Sequence, residues 1–593
     1  MLLTFIDSLL VIFITLNAGL FTIKGLSRLF RLELQADLLG TFLTGLILST
    51  VYFSLLSFWV PVNFLVLIPL ACIGIFTIRQ NKPVYRRLYA LVKEYLTRPY
   101  LLFTISFLIL LTVNAVLPPG NADSKGYHYQ TIRWYEMYKV IPGLGNIHGR
   151  YAFNGAGFIL QAPYSFTGGH SLDILNGGHS LYPLNGILIG LFFFWLMKRT
   201  VRNRHSPLGI VYFLLNLIFF RIFPINVTSP STDPLFEVCM LYGLLKCIEL
   251  IREDRLDLST VSIPLLILVF APIAKLSAYP VILVVLYIFF FVIPKKERKL
   301  SHALWCLPIG LLIYIPWLVR NVILSGYLIY PIPFIDLFHV DWKMPGKVLY
   351  ADYYMINYWI KGIGVNSENM EKYADFHTIP MKEWLLPWVK SEWEGAHAVT
   401  VVIMVAAVVF SPLCWIILYL RKKRPSVHLF VLWIIQYACI WNWLNNSPDF
   451  RFGIVFMSIA LAIPLFLLAP DHWKPGLKMP RRMLVPVLYA VFALFFVFKA
   501  CIRPGNYPFT LADCWLYPLK DIHTRMRNNQ QDFPYKVMRY GVKLYMADWT
   551  HDCINAPGPC MSWEYGDIDM RGPRIEDGFY NVQTKEGGVF PYF

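Results

Sequence analysis

Over 593 residues the sequence is 57% hydrophobic and only 15% charged, with a mean hydropathy of +0.52. That balance excludes an ordinary soluble globular chain and indicates a membrane protein. A formal net charge of +17 would suit a nucleic-acid binder, but the lysines and arginines fall in short clusters between apolar runs, where they set membrane topology, so nucleic acid is not an expected partner.

The first apolar run, residues 2–23, has no basic residue before it and Lys24 after it, and so reads as a retained helix instead of a cleaved signal peptide. A span needs roughly 17 to 25 mostly apolar residues, and on that template about fourteen helices follow along the chain. Their centres fall near Phe13, Ile47, Leu70, Ile109, Leu191, Leu214, Tyr242, Ile267, Val284, Leu311, Ala407, Ile435, Ile459 and Val491. The pair around Ile267 and Val284 is short, squeezed between the charged stretches 251–255 and 295–299.

Short loops rich in Lys and Arg should share the cytoplasmic side. Residues 24–31, 79–98, 198–204, 251–255, 295–299, 421–424 and 474–482 form such a set, which leaves both termini outside. The alternate set, 118–182, 221–234, 320–397, 445–451 and 503–593, mixes Trp, Tyr, Pro and Gly with single charges, which suits folded structure on the membrane surface. The expected fold is an all-α polytopic membrane protein with helices in its outer, periplasm-like loops and a small C-terminal outer domain. It divides into N-terminal accessory helices (1–99), a transmembrane core (100–501) and the C-terminal domain (502–593).

Six of the ten cysteines, Cys72, Cys239, Cys247, Cys306, Cys414 and Cys439, lie in apolar runs as small core residues, and no CxxC metal pattern occurs. Cys514, Cys553 and Cys560 lie in the tail on the oxidising side, where a Cys553–Cys560 disulfide is expected, with two free thiols as the alternative.

The densest polar segment follows Pro118-Pro119-Gly120 and runs Asn121-Ala122-Asp123-Ser124-Lys125-Gly126-Tyr127-His128-Tyr129-Gln130. If a helix starts here, Asp123, Tyr127, Gln130 and Trp134 share one face, polar and aromatic together, at the outer interface. Asp123 could simply cap that helix. His128, Arg133, Glu136, His148 and Arg150 in the same loop make it richer in ionisable groups than an inert connector needs. A second acidic turn, Asn226-Val227-Thr228-Ser229-Pro230-Ser231-Thr232-Asp233-Pro234, directly precedes the seventh expected helix, and there capping is the stronger reading. Arg221, Lys275, Arg320 and Arg451 fall near outer helix ends, where charge is costly and usually faces a cavity or partner, snorkelling being the alternative for Lys275. Arg320 and Arg451 could hold an anionic group such as a lipid phosphate, or Arg451 could pair structurally with Asp449. Between Tyr327 and Trp388, the residues Tyr330, Asp336, Asp341, Trp342, Lys343, Glu383 and Trp384 combine rings with carboxylates, which suits sugar binding and an interfacial belt alike.

With these segments in place, the Asn121-Ala122-Asp123 loop, the acidic turn at Asp233, the many helices and the outer tail together resemble the GT-C superfamily of integral membrane glycosyltransferases. Asp-Ser-Lys-Gly-Tyr-His-Tyr-Gln, Lys-Leu-Ser-Ala at Lys275, Arg320-Asn321 with Ser325-Gly326-Tyr327, and Pro448-Asp449-Phe450-Arg451-Phe452-Gly453 look like an uncharacterised bacterial branch of it. The resemblance implies a polyprenyl-phosphate sugar donor, an acceptor that is a lipid-linked glycan, glycolipid or protein, and a site facing the periplasm from the bacterial inner membrane among membrane lipids. It implies Asp123 as base with Asp233 as second catalytic carboxylate, Arg451, Arg320, Lys275 and His128 at the donor phosphate, and Tyr127, Gln130, Trp134 and Asp449 at the substrate. Inversion at the anomeric carbon follows from the resemblance alone. Magnesium or manganese held by Asp123 and Asp233 would suit their oxygens. The sequence departs from the family in placing three helices before the one that leads into the acidic loop, and it lacks a WWDYG-type motif, which points to single-sugar transfer. A lipid-linked glycan transporter or flippase, or a glycan ligase or polymerase, would share many of these features. Transporter sites lie near the midplane and often show repeats, whereas here no clear repeat occurs and the ionisable residues concentrate in outer loops.

Overall fold

The computed structural model describes residues 2–78, 121, 123–165, 182–203, 207–222, 224–227, 229–294, 300–362, 379–394, 398–421 and 426–468, together with 533–546, 553, 556, 558–561 and 567–582 in the tail and a few single positions. The apolar runs form helices α1 (Leu2–Phe30), α2 (Leu38–Leu56) and α3 (Leu67–Thr77). The first long polar stretch contributes two short ones, α4 (Tyr129–Met137) and α5 (Ala156–Tyr164). Then come α6 (Pro183–Arg202), α7 (Pro207–Ile222), α8 (Asp233–Arg252) and α9 (Leu258–Ala274). After a tight turn, Leu276–Val281, the chain returns in α10 (Ile282–Tyr287) and α11 (Leu300–Ser325). Helices α12 (Gly346–Ile360) and α13 (Met381–Glu394) precede α14 (Ala398–Leu420), α15 (Val427–Asn446) and α16 (Phe450–Leu468).

Seven of these helices, α1, α2, α6, α11, α14, α15 and α16, are long and apolar enough to cross a membrane. The chain is a membrane protein. Every helix centre expected from the sequence falls in a described helix except Ile109 and Val491, which lie outside the described residues. Among the described residues, α8 falls outside these seven because it carries Asp233, Glu237, Lys246, Glu249 and Arg252, and α9 because it is only 17 residues long.

Helices α1 and α2 cross closely because small residues meet at the contact. A Cβ on Gly19 would stand 1.9 Å from the Thr41 carbonyl oxygen, and one on Gly45 would stand 1.9 Å from that of Thr15. Helix α2 also packs on α5, α9 and α11, so α1 and α2 share one apolar core with α6, α8 and α16. At the basic end of the bundle, Asp37 caps α2 and accepts hydrogen bonds from Trp195 Nε1 at 2.8 Å and the Tyr242 hydroxyl at 3.0 Å. Arg199 lies over the Trp195 ring and donates from both Nε and Nη2 to the Glu249 carboxylate. That network ties α2, α6 and α8 together.

The tail departs from the all-α expectation. Its described residues hold five short strands: β1 (Tyr535–Val537), β2 (Lys543–Met546), β3 (Cys560–Met561), β4 (Ile568–Met570) and β5 (Phe579–Asn581). In one sheet β2 pairs antiparallel with β1, Tyr535 opposite Tyr545, and parallel with β3, Tyr545 opposite Cys560. In the other β4 pairs antiparallel with β5, Ile568 opposite Asn581. These runs of two to four residues are too short for a hydropathy window to register, though their aromatic and β-branched content suits pairing. Gly578, at φ +95°, turns the chain into β5 where a Cβ would meet the Pro142 carbonyl oxygen at 2.3 Å, so the tail packs directly on the first polar stretch.

Candidate functional site

At the end of the bundle opposite the Asp37 network, charged side chains from distant segments meet. Asp123 precedes a wide turn, Ser124–His128, in which the Tyr129 N–H reaches back five residues to the Ser124 carbonyl. Such turns cluster at functional positions. The Asp123 carboxylate makes no capping bond to the helix, and its own N–H is held by Asn121 Oδ1 at 3.0 Å. Asp233 begins α8, its N–H donating to Ser231 Oγ at 3.2 Å, and its carboxylate also leaves the cap to pair with Lys275 Nζ at the end of α9.

Arg451, in the first turn of α16, joins the set. Its Nε and Nη2 donate to Asp449 Oδ2 at 2.9 and 2.6 Å. Its Nη1 stands 3.5 Å from Asp123 Oδ2 and 3.6 Å from Asp233 Oδ2. The Asp449–Arg451 pair expected as a structural feature therefore exists, and the same guanidinium also bridges the two acidic turns. Phe452 supports both cations, with Lys275 Nζ 3.9 Å and Arg451 Cζ 5.6 Å from its ring centroid.

Three carboxylates, Asp123, Asp233 and Asp449, thus face two cations, Lys275 and Arg451. One negative charge is left over. Exposure separates the members: the Asp233 side chain is 2% exposed and that of Asp123 41%. Asp233 anchors cations in a dry place, while Asp123 presents a carboxylate that a substrate can reach.

His128 and Tyr127 lie beside this cluster with ring centroids 4.5 Å apart. Burial pushes the His128 imidazole down to about 4 against the opposing pull of Asp123 and Asp233, so it is neutral at pH 7. Burial, and next the Asp123 charge, push the Tyr127 hydroxyl well above its usual range. His148, also buried, is pushed down to about 3, with Arg150 adding to the effect.

The two acidic turns are joined by residues the sequence reading did not single out. Ser124 Oγ meets His128 Nδ1 at 3.2 Å and Ser229 Oγ at 2.6 Å. Asn185 Nδ2 donates to the carbonyls of Ser229 and Ser231 at 2.7 and 2.9 Å. A polar Asn185 in the apolar first half of α6 was the available signal. Glu237 was also passed over. One turn into α8 from Asp233, it is fully buried, and neither carboxylate oxygen has a hydrogen-bond partner among the described residues.

Other expected site residues lie apart. Gln130 donates to the Cys553 carbonyl, and Trp134 packs edge-on against Phe579 at 6.1 Å, so both face the tail. Arg320 is fully buried, bonded through Nε to Asn154 Oδ1 at 2.9 Å and through Nη1 to Ser57 Oγ, with Tyr135 4.7 Å away. The side chain of Arg221 lies outside the described residues. Among the described residues no three His, Cys, Asp or Glu side chains come together as a metal site, and Arg451 Nη1 already bridges Asp123 and Asp233. That donor set does not fit magnesium or manganese, and no step below runs through a metal.

A family model described as "Domain of unknown function (DUF8201)" matches residues 1–458. The chain belongs to that family. The matched region contains Asp123, Asp233, Lys275, Asp449 and Arg451, whereas the stranded tail lies beyond it. No curated protein and no solved structure matches the chain.

Proposed function

We propose that this protein is a membrane glycosyltransferase that moves a sugar from a polyprenyl-phosphate donor to a hydroxyl of a lipid-linked glycan, glycolipid or protein. On this reading the site faces the periplasm from the bacterial inner membrane, and the bundle has about fourteen spans at the usual length per span. The observation that carries the reading is the convergence of Asp123, Asp233, Lys275, Asp449 and Arg451 from separate segments of the chain into one cluster. The Cys553–Cys560 disulfide in the tail supports the outward orientation, because disulfides persist on the oxidising side.

The chemistry divides among these residues. Asp123, the exposed carboxylate, accepts the proton of the acceptor hydroxyl as that oxygen bonds to the anomeric carbon. The bond from that carbon to the phosphate oxygen breaks, and its electron pair leaves with the prenyl phosphate. Lys275 and Arg451 stabilise the charge that grows on the leaving oxygen. The Nη1 edge of Arg451, with contacts of 3.5 and 3.6 Å, is less committed than the edge bonded to Asp449 at 2.6 Å, and it is the edge a phosphate oxygen would take. Attack opposite the leaving group inverts the anomeric centre.

The test supplies membranes containing the protein with a polyprenyl-phosphate radiolabelled sugar and follows label into lipid and protein fractions. Transfer should depend on the protein and disappear in Asp123→Asn. Transfer by the variant at the unaltered rate would sink the assignment of Asp123. Movement of intact donor across the bilayer with no transfer would replace the enzyme with a transporter.

A further inference from the structure

The tail holds the acidic segment through one small loop. Cys553 and Cys560 are bridged, and three backbone carbonyls of the loop they close accept hydrogen bonds from the first polar stretch. Gln130 Nε2 donates to Cys553 O, Arg133 Nη1 to Ala556 O at 3.4 Å, and the Tyr151 hydroxyl to Cys560 O at 2.6 Å. Gln130 is 4% exposed and Tyr151 fully buried, so water does not substitute readily at either bond. Gln130 stands two residues beyond His128 and three beyond Tyr127, on the helix that grows from the wide turn after Asp123. Carbonyls stay aligned with three donors only while their segment keeps one conformation, and the cross-link removes the alternatives. The rest of the tail is fastened independently, Arg571 Nε and Nη2 donating to Asp341 at 2.9 and 3.0 Å and the Phe579 N–H to the Pro142 carbonyl at 2.9 Å.

We propose that this disulfide-closed loop is a clamp that positions the acidic segment, with Gln130 as its main positioning residue. Cys553 and Cys560 are 1% and 0% exposed, so the cross-link is a buried structural tie. The Arg571 and Phe579 contacts keep the tail attached, so loss of the cross-link loosens α4 and the turn before it without releasing the tail. The clamp rests on the transferase reading only for its consequence in catalysis.

Hydrogen–deuterium exchange of the full-length protein in lipid nanodiscs tests it, with and without the double substitution Cys553→Ser/Cys560→Ser. Amides of α4 should exchange roughly five- to thirtyfold faster without the cross-link, the size of losing one or two hydrogen bonds at about 1 kcal/mol each, while those of α15 stay unchanged. Gln130→Met, which keeps the side-chain length and removes the donor, should raise exchange similarly in the cross-linked protein and add little once the cross-link is gone. Unchanged α4 exchange in the double variant, or full additivity of the double substitution and Gln130→Met, would overturn the clamp. In the transfer assay, the double variant should have a lower kcat with the donor KM unaltered. If exchange responds and no transfer is found under any condition, the clamp stands and the transferase reading falls.

Discussion

Asp123→Asn and Asp233→Asn are the same chemical change at two carboxylates that share one guanidinium nitrogen, yet their effects should be opposite in kind. Asp123 is 41% exposed and meets Arg451 only at 3.5 Å, so its ion pair is largely screened and contributes about 0–1 kcal/mol. Its removal also relieves the surplus negative charge of the cluster. Stability should therefore be unaltered, whereas loss of the general base should slow transfer by about 10²–10⁴-fold. Asp233 is 2% exposed and faces Lys275, which is 22% exposed. Breaking a buried pair costs about 3–5 kcal/mol, and the partial exposure of Lys275 reduces this to roughly 2–4 kcal/mol. Thermal unfolding in detergent, followed by tryptophan fluorescence, should show a clear fall in Tm for Asp233→Asn alone. Equal destabilisation by the two variants would refute the division of roles, because Asp123 would then be structural.

Acid should weaken the fold through His128. Its folded pKa of about 4 lies below the unfolded value near 6.5, so between those values the unfolded chain binds a proton that the folded one refuses, and stability falls as pH falls. Tm measured from pH 7.5 to 5 should decline, and less steeply in His128→Gln. Gly45→Val should disrupt the crossing of α1 and α2, since a Cβ there would stand 1.9 Å from the Thr15 carbonyl oxygen. Expression of folded protein, read by size-exclusion chromatography, should drop sharply, with Gly25→Ala, where an added Cβ meets nothing within 4 Å, as the silent control. Asp37→Ala removes the α2 cap together with the acceptor of Trp195 and Tyr242. A loss of about 2–3 kcal/mol is expected from the cap and the two orphaned donors, seen as a lower Tm with the donor KM unaltered.

Much of the architecture was legible because apolar run length and basic clusters are one-dimensional signals. The cluster itself was partly legible for a related reason. Lys275 interrupts apolar sequence, where an unpaired charge is expensive and must find a partner, and Asp233 and Arg451 stand in polar turns near helix starts where such a partner can come from. What the sequence could not show was the full set of partners, since Arg451 serves Asp123 and Asp233 as well as the expected Asp449. The helical-face reading of Asp123, Tyr127, Gln130 and Trp134 could not foresee the tail, because Gln130 and Trp134 meet Cys553 and Phe579, residues far along the chain. The wide turn Ser124–His128 was equally hidden, since it depends on an N–H that reaches back five residues. Arg320 was expected near an outer helix end holding an anionic group, and its partners there, Asn154, Ser57 and Tyr135, lie far away in sequence and so could not be foreseen.

The brevity of α9 has a consequence for how a lipid would approach. Its 17 residues rise about 25 Å, less than the roughly 30 Å of a typical hydrocarbon layer. On the reading that α9 spans the bilayer with Glu253, Asp254 and Arg255 in water on one side, the turn at Lys275 ends short of the opposite headgroups. On the transferase reading, a prenyl phosphate would sink a few ångströms to meet its cations while its isoprenoid tail remains among the acyl chains. Bilayer thickness then becomes a reaction coordinate of sorts, and a thinner membrane brings the headgroup to the cations at less cost.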